Sequence, residues 1–249
     1  MSTLSVNTIT AAPVQSNAAQ STTTTQSQAS AALNKISPAL AKAHERIVAQ
    51  AQSESTSISQ LGQYKAALSS LSTTANALGG ISSKTGPSDA VKMVESFVSA
   101  FNNAIKQANA ASNANGKSQT DAARALVESK RTLSSTDSSR SQLNKLGLTR
   151  QQDGTLVLDS SALQKSLASA PDAAAATLSQ LGKAIGKRAD SELADKGRLN
   201  VASEKSSERA LALKQQQSAL LSAATSISQA QTSSASWTTK QALQKYSAS

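Results

Sequence analysis

Leu61 to Leu78 reads LGQYKAALSSLSTTANAL, and its spacing decides the fold. Leu61, Tyr64, Leu68, Leu71, Ala75 and Leu78 recur in alternating steps of three and four. That is the a/d repeat of a helix packed along a narrow seam. Gly79-Gly80 follows as a helix stop. Upstream, Ser37 suits an N-cap and Pro38 the first helical position, with Leu40 and Ile47 continuing the apolar pattern. A helix over Pro38–Leu78 would be about 60 Å long, and its narrow stripe needs a partner helix.

The expected partner lies at the other end of the chain. After Gly197 the sequence reads as helix to near its end, with a weak stripe of Leu213, Leu220, Ala224 and Ile227, followed by Trp237, Leu243 and Tyr246. Gln217 and Gln231 occupy would-be seam positions, so this helix is not stable alone.

Between the two ends the chain is punctuated closely. Gly79 to Pro87 is a loop, and a helix from an N-cap at Ser88 carries Val91, Val94, Phe97, Val98, Phe101 and Ile105 before fading into a loop at Asn109–Gly116. Thr120–Leu146 is helical, with a break expected over Ser134–Ser139 and a stop at Gly147. Leu148 to Leu158 places two β-prone runs around a turn ending in Asp153-Gly154, which predicts a hairpin. Asp159 then caps a helix with Leu163 and Leu167, and Pro171-Asp172 opens another with Leu178, Leu181 and Ile185. Residues 1–32 are uncharged and rich in Ser, Thr and Gln, and are expected to be disordered.

The expected class is mainly α: long N- and C-terminal helices pair as a coiled coil, with a small helical domain containing one β-hairpin between them. The corresponding divisions are a disordered N-terminal segment at 1–32, an N-terminal helix at 33–80, a middle helical domain at 81–198 with its hairpin at 147–158, and a C-terminal helix at 199–249.

Composition removes several functions. The 249 residues are 38% hydrophobic, 16% charged and only 2% aromatic, so large side chains for an ordinary core are scarce. With no Cys there is no disulfide framework, thiol nucleophile or cysteine metal site. The lone histidine, His44, has no local constellation to make it a general base. Gly182 and Gly186, beside Lys183 and Lys187, lack the spacing and preceding strand of a phosphate loop. No apolar run approaches the ~20 residues that span a bilayer, and no Sec-type leader is visible. The net charge of +10 is scattered singly without interleaved aromatics, which reads as a solvated basic surface rather than a nucleic-acid site. The expectation is a protein that is not an enzyme and uses no cofactor, metal, nucleic acid or membrane insertion.

Three segments carry a family resemblance. Ile58 to Leu71 resembles the N-terminal helix of the bacterial flagellar filament-capping family, hook-associated protein 2, and Phe97 to Ile105 is similar to the helix that reopens its inner domain. Leu146-Gly147-Leu148, Asp153 to Asp159, Leu163, Leu167 and Pro171-Asp172 follow the family's hairpin-then-helix order. The resemblance implies a structural protein, secreted through the flagellar type III channel, that forms a ring-like homo-oligomer at the filament tip and promotes flagellin insertion. Flagellin, hook–filament junction proteins and an export chaperone are the implied partners. The chain departs from the family where large outer domains usually stand, since only Gly79–Pro87 fills that place. It also lacks the usual short Gly-containing segment before the first helix. The alternative is an exported type III accessory or effector acting as a binding module. The residues assigned to the coiled-coil interface are Leu61, Tyr64, Leu68, Leu71 and Leu78, with Leu220, Ile227 and Trp237 as the C-terminal partner.

Overall fold

A computed structural model describes residues 16–114, 120–135 and 140–247. In chain order the elements are α1 (Ser16–Ile36), α2 (Pro38–Gly79), α3 (Pro87–Ala114), α4 (Asp121–Ser134), α5 (Arg140–Lys145), β1 (Leu148–Arg150), β2 (Leu156–Leu158), α6 (Ser160–Ser169), α7 (Pro171–Leu193) and α8 (Arg198–Ser247). They divide into an inner unit, Ala51–Leu211, and a terminal unit made of the chain up to Gln50 and from Ala212 onward. Among the described residues the fold is mainly α with one antiparallel hairpin, as the sequence predicts.

The inner unit is organised by the heptad stripe. Leu61, Tyr64, Leu68, Leu71, Ala75 and Leu78 are all fully buried. They join one core with Val94, Phe97, Phe101 and Ile105 of α3, Leu126 and Leu133 of α4, Leu178, Leu181 and Ile185 of α7, and Leu199 and Ala202 at the start of α8. Burying a side chain of Leu, Ile or Phe size contributes roughly 1.5–3 kcal/mol. Many aliphatic residues sharing one core thus compensate for few aromatics. Phe97 and Phe101 sit in that core with ring centroids 6.0 Å apart.

Local chemistry sets the element boundaries. Helix α3 starts at Pro87 rather than after a Ser88 cap, because proline needs no amide partner in the first turn and the Gly86 carbonyl accepts from Ala90 N–H at 2.9 Å. It continues through the expected Asn109 loop to Ala114, with Ala108 fully buried. Thr120 caps α4, its hydroxyl accepting from Ala123 N–H at 3.1 Å. The expected break separates α4 from α5, and residues 136–139 within it lie outside the described residues.

The hairpin pairs Leu148 with Leu158, Thr149 with Val157 and Arg150 with Leu156. Gly154 turns it at φ +91, a conformation that favours glycine. Asp153 Oδ1 accepts from the Thr155 amide at 2.9 Å and hydroxyl at 2.6 Å. On the other side of β2, the Asn102 side chain acts as a substitute strand. Its Oδ1 accepts from Leu156 N–H at 2.7 Å and its Nδ2 donates to the Leu156 carbonyl at 2.8 Å. A sheet edge that would otherwise offer bare backbone groups is thereby covered.

In the terminal unit the chain reverses at Ser37. Ser30 bonds to His44, and Leu33 is buried with Ala41, so α1 lies back along α2. Ala224 of α8 completes that small cluster, with Ile36, Leu40, Leu220 and Leu221 packed around it. Of the stretch 1–32 expected to be disordered, residues 1–15 lie outside the described residues. Ser16–Ile36 is helical. Its Ser/Thr/Gln-rich body has no stripe of its own, but Leu33 and Ile36 give one end an apolar anchor, and tertiary packing stabilises helices that propensity alone leaves marginal.

Candidate assembly surface

The terminal helices are antiparallel within each unit. In the inner unit Glu54 pairs with Arg209 at 3.8 Å and Lys65 with Asn200, so ascending numbers on α2 meet descending numbers on α8. In the terminal unit His44 meets Gln217 and Ala41 meets Ala224.

His44 is fully buried and engaged at both ring nitrogens. Its Nδ1 lies 3.1 Å from Ser30 Oγ of α1, and its Nε2 lies 3.2 Å from Gln217 Nε2 of α8. A neutral ring that accepts from the Gln217 amide at Nε2 and donates through Nδ1–H to the Ser30 hydroxyl satisfies both contacts. The side chain links three helices, a structural task for which Gln217 at a seam position is the complement.

The eight residues assigned to the interface do not share one site. Leu61, Tyr64, Leu68, Leu71 and Leu78 are buried in the inner core. Tyr64 also bonds through its hydroxyl to Ser129 Oγ at 3.1 Å, and burial pushes its phenol well above the ordinary tyrosine value. Leu220 packs on the terminal cluster, Ile227 is 42% exposed and Trp237 is 61% exposed. An a/d spacing identifies a buried face without saying whether the neighbour is in the same chain.

What is exposed is the far part of α8. From Thr225 to Gln241, and at Leu243, every residue is exposed. Ile227 continues the line of Leu220 and Ala224, whereas Trp237 stands about a quarter turn off it. Leu243, 64% exposed, adds another apolar side chain.

Buried polar groups lie along the α2–α8 pair of the inner unit, and the sequence reading missed them. Glu54 and Ser57 extend the heptad steps upstream of Leu61, which was the available signal. Glu54 is reached by Arg209, which also bonds Asp121 at 2.9 Å, while Ser57 and Ser206 are buried hydroxyls. Glu192 is buried at the end of α7, 3.6 Å from Arg198. Its desolvation raises the carboxyl above the ordinary glutamate value against the opposing pull of Arg198. Among the described residues no group of three or more His, Cys, Asp or Glu could hold a metal ion, and no helix is long and apolar enough to cross a membrane.

The profile of the flagellar hook-associated protein 2 C-terminus matches residues 68–248, most of the chain. The chain belongs to the flagellar hook-associated protein 2 family. The family match enters within the buried stripe of α2, covers the rest of the inner unit and runs along α8. It therefore includes the exposed length of α8 beyond Ala224. No curated protein and no solved structure matches the chain.

Proposed function

We propose that this family member is a structural, non-enzymatic subunit of the bacterial flagellum that self-associates as a ring-like homo-oligomer at the filament tip and promotes flagellin insertion. The observation that carries this reading is the length of α8 from Thr225 onward, helical yet exposed at every described side chain, Ile227, Trp237 and Leu243 included. A single helix of this Ser/Thr/Gln-rich composition gains little stability in water, and a neighbouring helix supplies what it lacks. Exposed Trp is moreover a residue type enriched where binding energy concentrates.

On this reading the inner unit is a rigid platform, and the terminal helices make the contacts with other copies, flagellin and the hook–filament junction. The protein is secreted through the flagellar type III route, with a chaperone covering exposed α8 side chains beforehand. The test is electron microscopy of gold-labelled protein mixed with flagellin filaments. Label at one filament end supports the reading, and label along the sides or none at all rejects it.

A further inference from the structure

The outward face of α3 carries an open groove of about 900 Å³, whose lining includes Ser70 of α2 and Glu95, Ser96, Ser99, Asn103 and Lys106 of α3. Glu95 and Lys106 mark its two ends. Both are exposed, and they share one face of the helix, about three turns and ~16 Å apart along its axis. The exposed side chains between them are Ser96, Ser99 and Asn103, and Ser70 stands across the groove, so its middle is small and uncharged.

The end charges differ from other exposed charges of the inner unit. Asp89 with Lys92, Asp121 with Arg124 and Glu128 with Arg131 pair within their own helices. Lys106 forms no hydrogen bond or ion pair with another described residue. Glu95 is held at its end of the groove by the Ser160 hydroxyl, which donates to Oε1 at 3.1 Å. The two end charges are too far apart to pair with each other, since an ion pair needs N···O within about 4 Å.

Reversed on a second copy, the same run is its own complement. Two α3 helices laid antiparallel about a twofold axis at the middle of the run bring Glu95 of each copy to Lys106 of the other. The same register sets Lys92 opposite Asn109, so no like charges meet. The small serines in the middle let the two backbones approach. Asp89, Lys92, Glu95 and Lys106 also sum to zero charge, which makes this face locally neutral in a chain of net charge +10. We propose that two copies of the chain pair through this groove, α3 against α3, joined by reciprocal Glu95–Lys106 ion pairs. A twofold contact closes after two copies and cannot by itself build a ring. The pairing therefore goes beyond the assembly proposed above and is independent of α8.

Sedimentation of the full-length chain over a concentration series at low ionic strength tests the pairing. The wild type should dimerise, and added salt should weaken the dimer because its end pairs are exposed. Glu95→Lys and Lys106→Glu each set like charges together at both ends, and each should raise the dissociation constant about tenfold or more. An equimolar mixture of the two variants should pair like the wild type, because two basic ends then meet two acidic ends. The chain carrying both substitutions should dimerise with itself. A wild type that stays monomeric, or a mixture that does not pair, overturns the proposal. Single variants that associate as the wild type does also overturn it, and leave association through α8 standing.

Discussion

Gly182 of α7 lies against the end of α2 so closely that a Cβ on it would sit 2.5 Å from the Ala75 carbonyl oxygen and 2.8 Å from the Leu78 carbonyl carbon. The two helices meet backbone to backbone at Gly79 and Gly182. Helix backbones approach this closely only where a side chain is absent, so Gly182 is a packing glycine, and its resemblance to part of a phosphate loop is incidental. Gly182→Ala should cost about 1–3 kcal/mol through forced separation of α2 and α7. Gly186→Ala should cost less, because the atom it meets at 2.5 Å is the Asn76 side-chain amide oxygen, which can swing aside. Denaturant midpoints of the two variants measure the difference.

Asn102 should hold the hairpin through both of its bonds to Leu156. Asn102→Ala removes a donor and an acceptor from a partly buried strand edge, with an expected loss of about 1–3 kcal/mol. Asn102→Asp keeps the acceptor for Leu156 N–H but sets a carboxylate against the Leu156 carbonyl, and should not rescue. Amide exchange at Leu156 should quicken in both variants while the core of α7 stays protected.

Glu192 gives the inner unit a pH dependence of definite sign. A carboxyl whose value is raised in the folded state holds its proton more tightly there than in the unfolded chain. Its contribution is therefore fully present below the ordinary glutamate value and is lost as pH rises through the folded value. Stability should increase on mild acidification from neutral pH, and Glu192→Gln should flatten that slope. Asp153 acts in a different window. The Thr155 hydroxyl, then its amide, hold Asp153 below the ordinary aspartate value, so its contribution is present above that value and disappears as pH falls through the depressed one. Urea titrations at several pH values read both effects, and an undiminished slope in the Gln variant would assign the dependence to another group.

His44 should matter to one unit and not the other. His44→Ala leaves Ser30 and Gln217 without their shared partner in the terminal unit. Protease cleavage and amide exchange in α1 should quicken several-fold, whereas the inner unit should keep its stability to within about 0.5 kcal/mol.

These features differ in how plainly the sequence displays them. Asp153-Gly154, Asp159 and Pro171 act within a few residues, so hairpin and helix starts were legible. The Leu61–Leu78 stripe was legible because large apolar residues repeat at helical spacing. Glu54 and Ser57 prolong the same spacing with polar side chains and carry no hydrophobic signal. Helix α1 was hidden for a related reason, since the packing of Leu33 and Ile36 depends on partners that lie on α2 and α8. The choice of neighbour was the largest gap. Leu61 and Ile227 both sit at seam positions, yet one is buried within its own chain and the other is bare.

On the function proposed above, this chain works as a flagellar structural subunit through the exposed length of α8. The most direct measurement is flagellin in the growth medium of a strain lacking the gene, complemented with the wild type or with Ile227→Asp, Trp237→Ala. The deletion strain should shed unpolymerised flagellin and swim poorly, the wild type should restore filaments, and the double variant should be exported without restoring them. Normal filaments in the deletion strain, with no flagellin shed, would contradict it.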